Sequence, residues 1–317
     1  MSLHIAIVCG GPSPEADVSR ASASQVAAAL GSRGHRCSVL EVDGELWPAL
    51  QAGGFDCVFI AVHGRHGEDG TVQGACELLG LPYTGSGVLA TALCFDKAMA
   101  KRLLVAEGLA TPPWTLVAPV FAEPALLEAA MGRAATDLGL PLVVKPRHGG
   151  STIGLSVVRD RSELAAAHAL AAPYGDVLCE RFVAGIEVTV GIVGHNPPRA
   201  LPTLEIVSQR PLYDYAAKYT AGQSSHVIPA RIPEEQRRAC ADAAVRAHAA
   251  LGCRDLSRVD VIVDPSGLPW VLEVNSIPGL TALSLLPDAA RTAGIEFGDL
   301  CQGLVDAALA RRPGEST

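Results

Sequence analysis

The sequence predicts an α/β fold, α+β in its later part, that opens with a doubly wound parallel sheet. Three observations carry that expectation. Apolar strand-like runs at 3–9, 36–42 and 55–62 alternate with helical stretches, as parallel strands joined by crossover helices do. Further along, PLVVKP (141–146) leads through a glycine-rich loop into LSVVR (155–159), two strands with no helix between them. Near the end, Arg258–Asp264 and Leu268–Asn275 flank Pro265-Ser266-Gly267, the Pro/Gly break of a hairpin. At 317 residues the chain suits two or three domains.

Composition narrows the function classes. Hydrophobic residues make up 49% and are often interrupted by Gly and Pro, a globular rather than a disordered profile. With 18% charged residues, a net charge of −8 and few aromatics, nucleic acid is not expected as a partner. The 9 cysteines are scattered without a C-x-x-C pair. Zinc and thioredoxin-like chemistry therefore lack a framework, and reduced thiols of a cytoplasmic protein are expected. The chain starts directly with LHIAIVCGG, a strand and turn rather than the basic opening of a signal peptide. No uninterrupted apolar run reaches the roughly 18 residues of a membrane span, so no membrane partner is expected.

The first strand, LHIAIVC, ends at Gly10-Gly11-Pro12-Ser13-Pro14-Glu15, and an Ala- and Ser-rich helix follows from about Asp17 to Gly31. Loops leaving the carboxyl ends of strands carry the ligands in such sheets. Two of these loops are polar: Glu15 after the first strand, and His63-Gly64-Arg65-His66-Gly67-Glu68-Asp69-Gly70 after the third. Glu15 reads either as a carboxylate complementing a helix dipole or as a ligand-binding group. His63 reads either as a structural histidine or as a ligand contact. Gly85-Ser86-Gly87-Val88-Leu89-Ala90 matches G-x-G-x-x-A, but the LGLPYT before it is short and carries a proline. A domain boundary near residue 86 is expected there in preference to a nicotinamide site.

A helix over Val88–Gly108 carries Asp96-Lys97 and Lys101-Arg102, and TPPWTLV (111–117) is a linker and strand. A helix around 123–138 precedes PLVVKP. Lys145 lies inside that apolar strand, where a lysine without polar neighbours is uncommon, and a bound anion is the expected reason. The loop after it, Arg147 to Gly154, has glycines that let backbone N–H groups approach phosphate oxygens. It is no Walker A loop, since the chain contains no Gly-Lys dipeptide. In Val177–Val190 an apolar strand ends at Glu180-Arg181, passes a Gly turn and resumes at Glu187. This segment is either a plain linker or a crossing whose backbone faces an adenine edge, with a carboxylate for ribose hydroxyls. Residues 209–230 are polar and aromatic without a clear period, as in a functional lid. A helix over Pro233–Leu251 leads into the hairpin, and Phe297–Ala310 is a final amphipathic helix.

In the hairpin, alternation turns Glu273 and Asn275 to one face, with Asp260 opposite or nearly opposite Glu273. Like charges facing across a strand pair are unfavourable unless a cation lies between them, and hard oxygen ligands suit Mg²⁺. The alternative is an ordinary solvent-facing edge.

The motifs GGPSPEADVS (10–19), VHGRHGEDGTVQG (62–74), LPYTGSG (81–87), DKAMAK (96–101), VVKPRHGGSTIG (143–154), CERFVAGIE (179–187), YDYAAKY (213–219) and SRVD…EVNSIPGLT (257–281) follow in a recognisable order. Over nearly its whole length the chain resembles the D-alanine–D-alanine ligases of the ATP-grasp superfamily. The resemblance implies an N-terminal substrate-binding domain at 1–86, a central ATP-grasp domain at 87–182 and a C-terminal ATP-grasp catalytic domain at 183–317. The two ATP-grasp domains would carry antiparallel sheets, with a lid at about 209–230. It implies ATP as co-substrate, two Mg²⁺ (or Mn²⁺) ions on Asp260, Glu273 and Asn275, and a cytoplasmic homodimer that makes D-alanyl-D-alanine for peptidoglycan precursors. ATP would be held by Lys97, Lys145, Gly149, Gly150, Ser151, Glu180, Arg181, Val183, Glu187 and Lys218. Glu15 would hold the ammonium of the first D-alanine with His63 nearby, and Ser284 the carboxylate of the second. Ser151 and Tyr219 would link to Glu15 by hydrogen bonds, while Arg258 and the N–H of Gly279 would stabilise the oxyanion. Tyr219 goes with D-alanine rather than D-lactate as acceptor in that family. Ala16, His66 and Leu283 depart from the commonest family pattern. They keep open an ATP-grasp ligase of the same mechanism with another acceptor, such as D-serine, D-lactate or a specialised-metabolism amino acid. A non-catalytic nucleotide-binding protein on this fold would be expected to lose one of Lys145, Arg258, Asp260, Glu273 or Asn275, and all stand in the sequence. A serine hydrolase lacks its G-x-S-x-G elbow.

Overall fold

A computed structural model of the protein describes residues 2–121, 123–208, 224–281 and 284–311. The first strand, β1 (His4–Cys9), is the centre of a parallel three-stranded sheet, between β2 (Arg36–Glu41) and β3 (Cys57–Ile60). Its run IAIVC is buried on both faces, which is why it reads as continuously apolar. Ile5, Ile7 and Cys9 meet Val26 and Leu30 of α1 (Ala16–Gly31) on one side. Ala6 and Val8 meet Leu50 of α2 (Leu46–Ala52) and Val72 of α3 (Thr71–Leu79) on the other. The expected double winding is thereby observed.

The helix expected over Val88–Gly108 is two helices, α4 (Val88–Phe95) and α5 (Lys97–Ala106). Asp96 breaks the run: its backbone is extended and its side chain accepts from the N–H groups of Ala98 and Met99, both at 3.1 Å. A carboxylate satisfying two otherwise unpaired donors starts a helix better than it continues one.

Strands β4 (Trp114–Val117), β5 (Leu142–Pro146), β6 (Ser156–Val158) and β7 (Val177–Arg181) form an antiparallel sheet in the order β4-β7-β5-β6. Helices α6 (Pro124–Leu138) and α7 (Leu164–Ala171) cover one face through Met131, Ala135 and Ala167. A second antiparallel sheet contains β8 (Ile186–Val193), β9 (Arg199–Ala200), β10 (Leu204–Ser208), β11 (Ser224–Val227), β12 (Leu256–Val263) and β13 (Pro269–Asn275). Strands β10 and β11 pair antiparallel, so 224–227 is strand where a loop was expected. The rest of the expected lid, 209–223, lies outside the described residues. Helix α8 (Glu234–Ala250) packs Cys240, Ala244 and Ala247 on the Val face of β8, β12 and β13. Helices α9 (Leu285–Thr292) and α10 (Phe297–Ala310) return to β1, where Leu286, Leu304 and Val305 join its core.

Gly85-Ser86-Gly87 is tied to the segment that leads into β12. Gly85 donates its N–H to the Asp255 carboxylate at 3.0 Å, and Arg254 donates to the Gly85 carbonyl at 2.8 Å. The described cysteines are all free; Cys94 and Cys253 are neighbours with sulfurs 3.4 Å apart.

His248 of α8 is buried and hydrogen-bonds Ser257 Oγ at 2.7 Å. Burial, with His195 nearby, pushes its pKa down to about 4. The unfolded chain, with an ordinary value near 6.5, takes up a proton that the native chain refuses between these values. Stability is therefore full above about pH 6.5 and falls by up to about 3 kcal/mol as pH drops toward 4. In His248→Gln the denaturation midpoint should lose much of its dependence on pH between 7 and 4.5. An equal acid loss in wild type and variant would exclude His248 as its source.

Candidate active site

The pocket face of the C-terminal sheet is built by strand alternation with one interruption. On β12, Arg258, Asp260 and Ile262 point into a cavity of about 340 Å³, while Val259, Val261 and Val263 point into the core. On β13 the register slips: Asp260 pairs with Glu273, but Val261 pairs with Val271. The extra residue is a β-bulge, which re-aims a side chain. It puts Leu272 and Glu273 together on the cavity wall, with Asn275 following, while Val271 and Val274 stay in the core. Asp260 and Glu273 are thus directly opposite, as the hairpin reading expected.

Their charges are compensated by protein cations. Asp260 accepts two hydrogen bonds from Arg258, at 2.9 and 2.8 Å, one from Asn275 Nδ2 at 3.1 Å and one from Thr189 Oγ1 at 2.6 Å. Lys97 Nζ lies 3.7 Å from Glu273 and also donates to the Gly149 carbonyl. Two carboxylates and an amide oxygen form a hard-oxygen set of the sort that holds Mg²⁺ together with substrate phosphates. Among the described residues, no group of three or more His, Cys, Asp or Glu converges for a metal, so Asn275 would have to supply the third ligand.

The central sheet supplies the opposite wall. Lys145 projects from β5 and bonds Glu180 Oε1 at 2.5 Å, so the charge expected from a bound anion is already met by a carboxylate. Lys101 of α5 reaches the other oxygen of Glu180 at 2.9 Å. Burial works to raise the Glu180 pKa, yet the two lysines hold it below the usual range. Burial in turn draws Lys101 down to about 8. Arg181, Phe182, Val183 and Glu187 continue this wall.

The glycine-rich loop folds back over Glu15. Ser151 donates a hydrogen bond to Glu15 Oε1, a link expected from the resemblance. Ser151 and Thr152 have φ of 51° and 62°, a left-handed conformation costly for non-glycine residues and common at binding sites. Asp96 ties the base of this loop to α5, since Arg147 grips its two oxygens at 2.9 and 2.6 Å. Beside Glu15, His63 contacts the Ile277 carbonyl through Nδ1 at 3.1 Å and Ser22 Oγ through Nε2 at 3.3 Å. Burial pushes its pKa down, so the ring is neutral.

All the sequence-predicted site residues that the structure describes line this one cavity: Glu15, His63, Lys97, Lys145, Gly149, Gly150, Ser151, Glu180, Arg181, Val183, Glu187, Arg258, Asp260, Glu273, Asn275, Gly279 and Ser284. Gly279 is needed for close approach, because a Cβ there would come within 2.7 Å of Ser284 Oγ. Ser284 precedes the first turn of α9 and accepts from Thr281 N–H at 3.0 Å. Lys218, Tyr219 and Leu283 lie outside the described residues. Glu68 is a lining residue that sequence reading quoted within its motif without singling out. It accepts from Gly64 N–H at 2.7 Å, and burial with Glu15 nearby pushes its pKa up to about 8. Its signal was its place in the polar loop after β3.

Residues 47–86 match the family model for the D-Ala D-Ala ligase N-terminus and residues 103–306 that for its C-terminus. A D-alanine–D-alanine ligase of Pelotomaculum thermopropionicum is 49% identical over 310 residues, covering 98% of each chain. The D-alanine–D-alanine ligase of Bacillus anthracis, solved in complex with ATP, superposes with a TM-score of 0.84 at 31% identity, covering 100% of both chains. The VanG D-Ala:D-Ser ligase of Enterococcus faecalis gives 0.81 at 30% identity, covering 97% of this chain and 100% of that one. By family model, full-length identity and fold, the chain belongs to the D-alanine–D-alanine ligase family.

Proposed function

We propose that the chain is an ATP-dependent ligase that joins two D-alanines through a D-alanyl phosphate, releasing D-alanyl-D-alanine, ADP and phosphate. The observation that carries this reading is the convergence, in one cavity, of a carboxylate–serine pair (Glu15, Ser151), a lysine-lined wall (Lys97, Lys145) and the Arg258–Asp260–Glu273–Asn275 face. A free carboxylate is a poor acyl donor, and phosphorylation makes it a good one. Phosphoryl transfer asks the protein for in-line positioning and charge neutralisation more than for covalent help.

The lysines and the 149–154 backbone would take the phosphates, with Glu180, the 181–183 backbone and Glu187 around the nucleoside. Asp260, Glu273 and Asn275 fit Mg²⁺, which supplies neutralisation of charge on the transferring phosphoryl group. Glu15, held by Ser151, would anchor the ammonium of the first D-alanine. The carboxylate of the second would meet Ser284 at the start of α9, where helix N–H groups favour an anion. When its amine attacks, Arg258 and the Gly279 N–H would receive the developing oxyanion. Supplying a peptidoglycan precursor fits a cytoplasmic enzyme, and the described helices include none long and apolar enough to cross a membrane. A homodimer, two Mg²⁺ (or Mn²⁺) ions and a division at 1–86, 87–182 and 183–317 complete the reading. The return of α10 to the β1 core would bind the first and last of these domains together.

ADP release from Mg-ATP tests the proposal with D-alanine alone, L-alanine alone, and D-alanine plus D-serine or D-lactate. ADP and dipeptide are expected in equal amounts with D-alanine alone. Turnover only when a second compound is present would reassign the acceptor, and no ADP in any mixture would overturn the ligase.

A further inference from the structure

We propose that Lys101 is a positioning residue of the nucleotide site: the fixed counter-ion of Glu180, which frees Lys145 to turn to the phosphates of the substrate. This rests on the reading above that ATP binds against Lys145.

Lys97 and Lys101 lie four residues apart on α5 and so share a helix face, but their surroundings differ. Lys97 lines the cavity, whereas Lys101 is 0% exposed and does not. The Lys101 ammonium meets Thr111 Oγ1 at 2.7 Å, the Pro112 carbonyl at 3.1 Å and Glu180 Oε2 at 2.9 Å. Two of its three donors hydrogen-bond Thr111 and Pro112, and its charge pairs with Glu180. Trp114 lies beside it, with its ring centroid 5.5 Å from Nζ. Lys101 is locked in place.

Lys145 is placed differently. It lines the cavity, and the acceptor it holds among the described residues is Glu180 Oε1. A buried carboxylate stays ionised only while a cation accompanies it. With Lys145 as sole partner, Glu180 would hold that lysine against any competing anion. With Lys101 fixed on the second oxygen, Lys145 can exchange Glu180 for a phosphate and no buried carboxylate is left alone. Two lysines around one glutamate also leave a surplus positive charge at the cavity wall, where a polyanion is to bind.

The test is Mg-ATP titration of the full-length protein by calorimetry, with thermal unfolding as a check on folding. Lys101→Met is expected to weaken nucleotide binding about 10- to 100-fold, the usual span for coupled charges in contact. The KM for D-alanine should not move, whereas general loss of structure would raise both. Lys101→Met/Glu180→Gln should bind more tightly than Lys101→Met, because Lys145 is no longer held back. If Lys101→Met does not fold, Glu180→Gln is compared with the double variant, and the two are expected to bind alike. Unchanged affinity in Lys101→Met, or a double variant more than about tenfold weaker than Glu180→Gln, overturns the proposal. Absence of ATP binding by the wild type would instead overturn the reading of the site on which it rests.

Discussion

Arg258→Ala is expected to lower ligase turnover about 100- to 1,000-fold, the range for removing one preorganised oxyanion donor. The argument begins with position. Arg258 lies two residues before Asp260 on β12, so the two side chains share the cavity face, and Asp260 grips the guanidinium at 2.9 and 2.8 Å. A fork held this way needs little reorganisation when negative charge develops on the acyl oxygen. Its contribution is therefore realised chiefly in the transition state. kcat and kcat/KM should fall together, while the dissociation constant for ATP changes by only a few-fold. That residual change is expected because Asp260 loses the cation that balances it. Arg258→Lys keeps the charge and loses the two-pronged grip, so it should recover only part of the rate. A large rise in the ATP dissociation constant with turnover intact would remove Arg258 from this role.

The same strand marks what could be read without coordinates. Alternation along β13 suffices to put Glu273 and Asn275 on one face near Asp260, because face is a local property, whereas the directly opposite pairing of Asp260 with Glu273 depends on the bulge. Strands β1 and β3 were legible from local signals as well, since strands buried on both faces read as apolar runs, whereas the order β2-β1-β3 is set by pairing between distant segments. The bulge at Leu272 was not legible: nothing in PWVLEVN shows where one extra residue enters. The break at Asp96 was legible in principle, as a capping carboxylate before Lys97, but an uninterrupted Ala-rich pattern outweighed it. Strands β10 and β11 were hidden because a short strand next to polar sequence has little period of its own.

Electrostatic partners were the least accessible. Lys145 without polar neighbours in sequence suggested a bound anion, and its partner is Glu180, 35 residues away on the adjacent strand. Lys101 gave no signal beyond its place in the motif, because its burial depends on Thr111, Pro112 and Glu180 meeting around one helix. Residues quoted for the resemblance converge because the motifs sit at strand ends and loops facing one cavity.

The second large effect belongs to Glu273. Its carboxylate faces Asp260 across the hairpin, and the bulge keeps it on the cavity wall where strict alternation from Val271 would have turned Leu272 inward alone. With Lys97 only 3.7 Å away, the charge at this point is nearly balanced, so a divalent cation would have to displace or join a lysine. Glu273→Gln preserves shape and hydrogen-bonding capacity and removes one negative charge. Turnover is expected to fall about 100- to 1,000-fold, matching several kcal/mol of lost charge stabilisation in phosphoryl transfer. The Mg²⁺ concentration for half-maximal rate should rise with it, because one of the two carboxylates no longer attracts the ion. Glu273→Asp separates charge from reach. The charge remains on a side chain one methylene shorter, so its Mg²⁺ dependence should fall between wild type and Gln. Asp260→Asn should shift the Mg²⁺ dependence in the same sense, with an added loss from releasing Arg258. Magnesium titrations of the variants with D-alanine and ATP decide the matter. If Glu273→Gln turns over within about twofold of wild type at an unchanged Mg²⁺ requirement, the ion is held elsewhere. In that case Glu273 serves only to balance Lys97.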